Sequence, residues 1–262
     1  MAEAEAQIDS RKNPVLTVTG LSKKYGGLEV LAGIDLEIQA GEMHALIGSN
    51  GAGKTTLFDI VCGFIKASQG SIRFLGHEIT SLPAFKYAHL GIGRTFQITT
   101  LFRSISVLEN LRLSLEALPE RRLPFLKSGT FSERDLLPFR ELLKPWGLWE
   151  ARGVPVAALP YGVQRQLEIV MALVQKPKLL LLDEPMAGLE AGSRASMTEL
   201  IKKSSRETTI FFIEHDMDVA LQLADRVTVL HQGRRIAQGS SEEVQSNKEV
   251  QRIYFGFEET PA

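Results

Sequence analysis

The sequence predicts an α/β fold in which helices flank a mostly parallel core sheet. Short apolar runs typical of strands alternate with stretches of helical periodicity along most of the 262 residues. Two of these runs, LLLL at 179–182 and IFFI at 210–213, are apolar at every position. Strands buried on both faces of a parallel sheet need side chains of this kind.

The first strands and helices follow one another from Val15 onward. Residues 1–13 have no periodicity, so we expect a loose N-terminal tail there. Apolar and polar residues then alternate, which predicts strands at VLTVTGL, IDLEI and MHALIG. A Gly-rich turn opens a helix of about ten residues, and SIRFLG is the next predicted strand. The segment LPAFKYAHLGIGRTFQ predicts a helix followed by a strand.

A helical insertion is predicted from about 101 to 175, where Leu111, Leu115 and Leu118 recur at helical spacing. A polar stretch with Pro and Arg at 119–134 predicts an irregular loop within it. Alternation of strands and helices then returns. The predicted segments are KLLLLDEP, a helix near 193–205, TTIFFIEH, a helix near 216–224, RVTVLHQG, RRIAQG and a tail at 257–262.

Composition restricts the classes of partner and compartment. Lys and Arg number 30 against 31 Asp and Glu, which gives no support to a nucleic-acid binder. Cys62 is the single cysteine, so no intrachain disulfide forms, which fits a reducing compartment. The N-terminal segment lacks the apolar region of a secretory signal, and no apolar run approaches the roughly 18 residues of a membrane span. We therefore expect a cytosolic protein that is able to dock on a membrane protein.

The segment GSNGAGKT at 48–55 matches the phosphate-loop pattern G-x-x-x-x-G-K-[ST] and lies between a predicted strand and a predicted helix. Glycines let backbone N–H groups approach phosphate oxygens, and the helix N-terminus favours negative charge. Lys54 is expected to reach the terminal phosphates, and the Thr55 hydroxyl to bind Mg²⁺. A Gly-rich turn with a surface lysine is the alternative, which this context disfavours. The expected nucleotide-contacting residues are Ser49, Asn50, Gly51, Ala52, Gly53, Lys54, Thr55 and Thr56.

Acidic residues and a histidine follow two buried strands. Strand ends carry ligands in open α/β sheets, so Asp183 is expected to hold Mg²⁺ through water and Glu184 to polarise an attacking water. The alternative is a strand that ends in two solvated acids. His215 follows the next apolar run and is a candidate contact for the γ-phosphate, although a lone histidine is more often structural.

The order GSNGAGKTT, Gln97 in RTFQ, LPYGVQ, LLLLDEP and His215 resembles the ATP-binding subunit of an ABC transporter, over residues 14–256. The resemblance implies a P-loop NTPase fold of the ABC type, with an N-terminal antiparallel β subdomain and an inserted α-helical subdomain. It implies that Tyr25 stacks on adenine and that Gln97 binds Mg²⁺ and relays its state to the membrane subunits. The segment AGLE, which ends at Glu190, corresponds to a loop that crosses the dimer interface and usually ends in Asp.

The segments GIGRTFQITTLFRSISVLENL, IEHDM and VQRIYFG are similar to the branched-chain amino acid importers, and VTVLHQG to the related urea and short-chain amide importers. This resemblance implies ATP and Mg²⁺ as cofactors, two permease subunits, a second ATP-binding subunit (identical or different), an external solute-binding protein and no nucleic acid. It implies a peripheral location on the cytoplasmic face of the plasma membrane. The alternatives are a non-transport ABC ATPase on nucleic acid or ribosomes, and a small-molecule kinase. The interval of about 60 residues before LPYGV holds neither sustained heptads nor paired cysteines, which disfavours the first.

The loop at 159–163 departs from the signature sequence of this family. It reads LPYGV where the family has LSGGQ or LSYGQ, so Pro160 replaces the serine whose hydroxyl contacts γ-phosphate across the dimer. Proline has neither a hydroxyl nor an N–H. The N–H groups of Tyr161, Gly162 and Val163 are expected to remain for phosphate. Either the change is tolerated with slower hydrolysis, or the subunit pairs with a different ATPase and one ATP site is impaired.

Overall fold

The computed structural model describes residues 14–95, 101–116, 133–205 and 208–255. Several sequence predictions fall on other residues. The two predicted tails, Gln97, Leu118 and most of the polar stretch 119–134 lie outside the described residues.

An antiparallel sheet forms the N-terminal part, as the resemblance implied. Its strands are β1 (Pro14–Tyr25), β2 (Leu28–Gln39), β4 (Gln69–Phe74) and β5 (His77–Glu78), in the order β2-β1-β4-β5. Alternate residues of β2 point inward, with Leu36 and Ile38 buried and Glu37 exposed. This alternation is the pattern from which the sequence predicted a strand.

A second sheet of six strands forms the core. Its strands are β3 (Met43–Gly48), β6 (Ile92–Arg94), β7 (Leu179–Asp183), β8 (Thr209–Ile213), β9 (Arg226–His231) and β10 (Arg234–Gly239), in the order β10-β9-β3-β8-β7-β6. Every neighbouring pair is parallel except β9 with the edge strand β10. Every residue of β7 and β8 is buried. The prediction of a mostly parallel sheet from these two apolar runs is confirmed.

Helices cover both faces of this core sheet. They are α1 (Lys54–Val61), α2 (Ala84–Leu90), α3 (Val107–Glu116), α4 (Glu133–Leu143), α5 (Tyr161–Leu173), α6 (Ala191–Ser204), α7 (Met217–Leu223), α8 (Ser241–Ser246) and α9 (Lys248–Val250), followed by a π-helical turn at Gln251–Phe255. Helix α1 is shorter than the ten residues predicted. It ends because Gly63 turns the chain at a φ of 75°, where a Cβ would lie 2.6 Å from the Tyr87 ring.

Two apolar clusters hold the layers together. One lies between the antiparallel sheet, α1 and one face of the core sheet, and includes Leu16, Phe58 and Phe211. The other lies on the opposite face, where side chains of α3 and α5 such as Leu111 and Leu167 join those of the core strands. Helices α3 to α5 fall between β6 and β7 in the chain, where the helical insertion is predicted. Within the described residues, none of the helices has the length and apolar character needed to cross a bilayer.

Candidate nucleotide-binding site

The loop between β3 and α1 needs glycine at several positions. Gly51 and Gly53 have φ values of 79° and 99°, in the left-handed region. A Cβ at Gly48 would lie 2.6 Å from the backbone oxygen of Leu230, and one at Gly53 would lie 2.6 Å from Leu31 Cδ2. Gly53 caps α1 without a side chain, so the N–H groups of the first helical turn face the loop. This is the arrangement of backbone donors that binds phosphate.

Lys54 folds back over this loop. Its Nζ donates to the backbone oxygens of Gly48 at 2.7 Å and Ser49 at 3.1 Å, and the side chain is buried. Burial lowers the pKa of Lys54, while the carboxylates of Glu184 and Asp183 oppose that shift. The ammonium group therefore lies within the electrostatic reach of both acids.

Most of the other residues of the loop are accessible. Ser49, Asn50, Gly51 and Thr55 are exposed, Thr56 is half-buried, and Ala52 is buried with its N–H donating to the Ser49 oxygen at 3.1 Å. The Thr55 hydroxyl lies on the first turn of α1, where a metal ion next to bound phosphates would be held.

Asp183 ends β7 and is buried. Arg94, at the end of β6, donates from Nη2 to Asp183 Oδ2 at 3.2 Å. Burial raises the pKa of Asp183, and the Arg94 guanidinium opposes the rise. A carboxylate here and the Thr55 hydroxyl are hard oxygen donors, the ligands that Mg²⁺ uses together with substrate phosphates. The residues present thus fit a Mg²⁺ ion.

Glu184 has an unusual backbone for a residue other than glycine, with φ at 47°. Such a conformation costs on the order of 1–3 kcal/mol and persists only where the surrounding structure holds it. Three hydrogen bonds hold it: its N–H donates to Ile213 O, and its carbonyl accepts from Ala187 N–H and from Arg165 Nη2, all at 3.1 Å. The strained turn fixes where the Glu184 side chain leaves the strand.

His215 lies beside Glu184, as expected from their positions at the ends of neighbouring strands. The Nδ1 atom is 3.6 Å from Glu184 Oε2, and the imidazole is 57% exposed. The half-buried Glu184 carboxylate and the accessible His215 imidazole therefore lie at the edge of the core sheet where the parallel strands end. The same edge carries Lys54 and Asp183.

Glu214 is a buried acid that the sequence analysis did not single out. Its Oε1 accepts from Met186 N–H at 3.2 Å, and Oε2 lies 3.9 Å from His215 Nδ1. Burial raises the pKa of Glu214 to about 7. Its place next to His215 at a strand end was the available signal, but β8 is apolar on both faces, so its sequence does not reveal that the Glu214 side chain points inward.

The signature loop begins α5. Pro160 is the N-cap, with φ −56° and ψ 150°, angles that suit its ring. Val163 N–H donates to Pro160 O at 3.0 Å. The expectation that the amides of Tyr161, Gly162 and Val163 contact phosphate stays a prediction. Val163 N–H is already engaged within the helix start, and the amides of Tyr161 and Gly162 precede it.

The same loop packs on residues 187–193 of its own chain. Tyr161 OH lies 3.4 Å from Ala187 O, and a Cβ at Gly162 would lie 3.5 Å from Ser193 Oγ. The Tyr161 ring is 48% exposed. Glu190 is exposed and is the N-cap of α6, within this segment. The signature loop and the segment predicted to cross a dimer interface thus form one surface.

Tyr25 ends β1 with its side chain 47% exposed. Lys23 Nζ lies 4.8 Å from the centroid of its ring. The following strand β2 passes close to the phosphate loop, because a Cβ at Gly53 would lie 3.0 Å from Val30 O. An exposed aromatic ring at the start of the turn that leads into this strand suits stacking on a base. The predicted metal contact Gln97 lies outside the described residues.

Comparison with known proteins gives consistent matches. The ABC transporter family model matches residues 31–187. The high-affinity branched-chain amino acid transport ATP-binding protein LivG of Salmonella typhimurium is 38% identical over 257 residues, covering 93% of this chain and 98% of LivG. The corresponding BraF protein of Pseudomonas aeruginosa is 36% identical over 250 residues, with the same coverage of 93% and 98%.

Solved structures match over almost the whole chain. An ATP-binding cassette of an ABC transporter in its ADP conformation has a TM-score of 0.81 at 29% identity, covering 94% of this chain and 100% of that one. The cbiO1 protein of Clostridium perfringens, part of the ABC transporter complex cbiONQ, has a TM-score of 0.77 at 31% identity, covering 94% and 97%.

Proposed function

The chain belongs to the ABC transporter family, and we propose that it is the ATP-hydrolysing subunit of an importer of branched-chain amino acids or a related small amide or amino-acid solute. The observation that supports ATP hydrolysis is the pairing of Glu184 with His215, 3.6 Å apart, at the edge of the core sheet that holds the phosphate loop. The names of LivG and BraF support the class of solute.

The residues of this edge divide the work of hydrolysing ATP to ADP and phosphate. The amides of the phosphate loop and Lys54 bind the terminal phosphates. Thr55 and Asp183 hold Mg²⁺, which when bound neutralises phosphate charge. Glu184 orients and polarises the attacking water, and His215 contacts the γ-phosphate. Tyr25 stacks on adenine.

A second ATP-binding subunit completes each site. In a head-to-tail dimer, the amides of Tyr161 and Gly162 face the ATP on the partner's phosphate loop. Pro160 brings neither hydroxyl nor N–H to that ATP. Removing one preorganised donor costs roughly 3–4 kcal/mol in other enzymes, so we propose that the partner is a different subunit and that hydrolysis of the partner's ATP is slower. The subunit's own phosphate loop stays competent when the partner has an ordinary signature.

An exposed aromatic surface supports docking on permeases. Phe64 and Phe85, which we call the phenylalanine face, are 54% and 57% exposed. Phe64 follows Gly63, which lies against Tyr87 of α2, so Phe64 is close to the helix that carries Phe85. Exposed aromatic side chains grouped in this way mark interaction surfaces. We propose that this face contacts one of the two membrane permeases of the complex, which puts the subunit on the cytoplasmic face of the membrane and connects it indirectly to an external solute-binding protein.

A gentle detergent pull-down with mass spectrometry tests this assignment. The tagged chain should bring down two permeases and a second ATPase subunit. The variant Phe85→Ser, which leaves the contact of Phe64 with Arg94 intact, should bring down less of the permeases and keep ATP binding. Recovery of ribosomes or nucleic acid in place of permeases would overturn the proposal in favour of a non-transport ABC ATPase.

A further inference from the structure

We propose that Arg94 is a positioning residue for the proposed Mg²⁺ site, because its guanidinium ties the carboxylate of Asp183 to Asp59 on the phosphate-loop helix. The inference rests on the proposed function and deepens it. Neither Arg94 nor Asp59 was a candidate from the sequence. Both contacts join residues far apart in the chain.

The Arg94 guanidinium contacts two carboxylates at once. Arg94 Nη1 donates to Asp59 Oδ1 at 2.5 Å, and Nη2 donates to Asp183 Oδ2 at 3.2 Å. The Arg94 side chain is only 9% exposed, so water screens these pairs little. Asp59 lies four residues after Thr55 on α1, on the same face of the helix. One planar group therefore joins the two elements that carry the proposed metal ligands.

Two aromatic rings support the Arg94 guanidinium. Its Cζ lies 5.9 Å from the Phe58 ring centroid and 5.6 Å from the Phe64 ring centroid. Phe58 is fully buried, and Phe64 belongs to the phenylalanine face. Two aromatic rings thus hold the guanidinium in place by cation–π contact. The contact with Phe64 places this support at the surface where the permeases are proposed to dock.

The positive charge of Arg94 balances the charges of the two neighbouring carboxylates. Arg94 lies against two carboxylates and the Cys62 thiol, and burial raises the pKa of that thiol to about 12, so it stays neutral. Without Arg94, Asp183 and Asp59 would face each other's charge in a largely buried site, although Lys54 would still lie within electrostatic reach of Asp183. Asp183 would lose the group that fixes its orientation. Partners that orient metal ligands typically change metal affinity by about 10–100-fold when they are removed.

The experiment measures how Mg²⁺ supports ATP binding, without hydrolysis. In the full-length Glu184→Gln chain, binding of a fluorescent ATP analogue is titrated with Mg²⁺ and repeated in EDTA. Arg94→Met should raise the Mg²⁺ concentration for half-maximal binding by about 10-fold or more, and leave binding in EDTA unchanged. The matched control is Arg73→Met, which removes an arginine from an exposed pair with Glu78 on the antiparallel sheet.

A second variant covers the case in which Arg94→Met does not fold. Arg94→Lys keeps the positive charge but lacks the planar fork that reaches two carboxylates, so it should shift the Mg²⁺ dependence in the same direction by a smaller factor. The inference is wrong when a folded Arg94 variant has the same Mg²⁺ dependence as the Arg73→Met control. Failure of the unmodified chain to bind ATP with Mg²⁺ would instead contradict the proposed function.

Discussion

Replacing Arg165 by methionine should destabilise the protein strongly, because it breaks a buried ion pair on α5. Arg165 Nη1 lies 2.8 Å from Glu168 Oε2, and the two side chains are only 5% and 6% exposed. Methionine fills much of the same volume but leaves the Glu168 charge without this cation. Removing one partner of such a pair costs about 3–5 kcal/mol of the free energy of unfolding.

The loss is large enough to measure by thermal unfolding. At about 2–4 °C per kcal/mol for a domain of this size, the Tm should fall by roughly 6–20 °C. The double variant Arg165→Met, Glu168→Leu removes both charges and should recover most of that loss, because an apolar replacement of a buried pair is often neutral. The control Arg73→Met breaks an exposed pair and should change stability by less than about 1 kcal/mol.

Comparing the Tm of the single and double variants separates a loss caused by the buried charge from a loss caused by packing. A double variant no more stable than Arg165→Met would show that the loss comes from packing and not from a buried charge. An unchanged Tm in the Arg165→Met variant would show that Arg165 does not stabilise the protein through its pair with Glu168. Arg165 also donates to the Glu184 carbonyl at 3.1 Å, so any folded single variant should hydrolyse ATP more slowly as well.

Four further predictions follow from the site. Glu184→Gln should abolish most hydrolysis in the assembled complex while ATP still binds and holds the dimer closed; unchanged turnover would exclude Glu184 as the residue that polarises water. Pro160→Ser should raise turnover of the complex, and no gain would show that this loop causes no catalytic deficit. Gly48→Ala should reduce ATP affinity and stability, because its Cβ would lie 2.6 Å from a backbone oxygen; normal values for both would contradict the geometry. Burial raises the pKa of Glu214 from 4.5 to about 7, so the folded state binds a proton there that the unfolded chain has lost. Stability should therefore fall as pH rises from 4.5 to 7, and Glu214→Gln should flatten this part of a pH series of urea unfolding curves.

The fold could be predicted to a large extent because its signals are local. The runs 179–182 and 210–213 are short and apolar throughout, as is typical of strands covered on both faces. The phosphate loop could be recognised because its glycines, Lys54 and Thr55 are contiguous. The length of α1 could not be predicted, since its end depends on the contact of Gly63 with the Tyr87 ring.

The contacts that orient the site were not predictable, because periodicity does not show which buried charges meet. Arg94 joins residues 35 and 89 positions away, and Arg165 reaches a carbonyl 19 positions away. The spacing of hydrophobic residues along the sequence indicates neither of these contacts. The engaged amide of Val163 was likewise missed, because the hydrogen bonds of a first helical turn depend on backbone angles that the sequence does not specify.

Measurement of ATP-driven solute uptake is the most direct test of the proposed importer function. The complex isolated with its permeases is reconstituted in proteoliposomes, and uptake of radiolabelled leucine, valine and a short-chain amide is measured in the presence of the solute-binding protein. The proposed importer function predicts uptake that requires ATP and is lost in complexes carrying Lys54→Ala or Glu184→Gln. Uptake that persists in both variants, or a complex that hydrolyses ATP without importing any of these solutes, would contradict it.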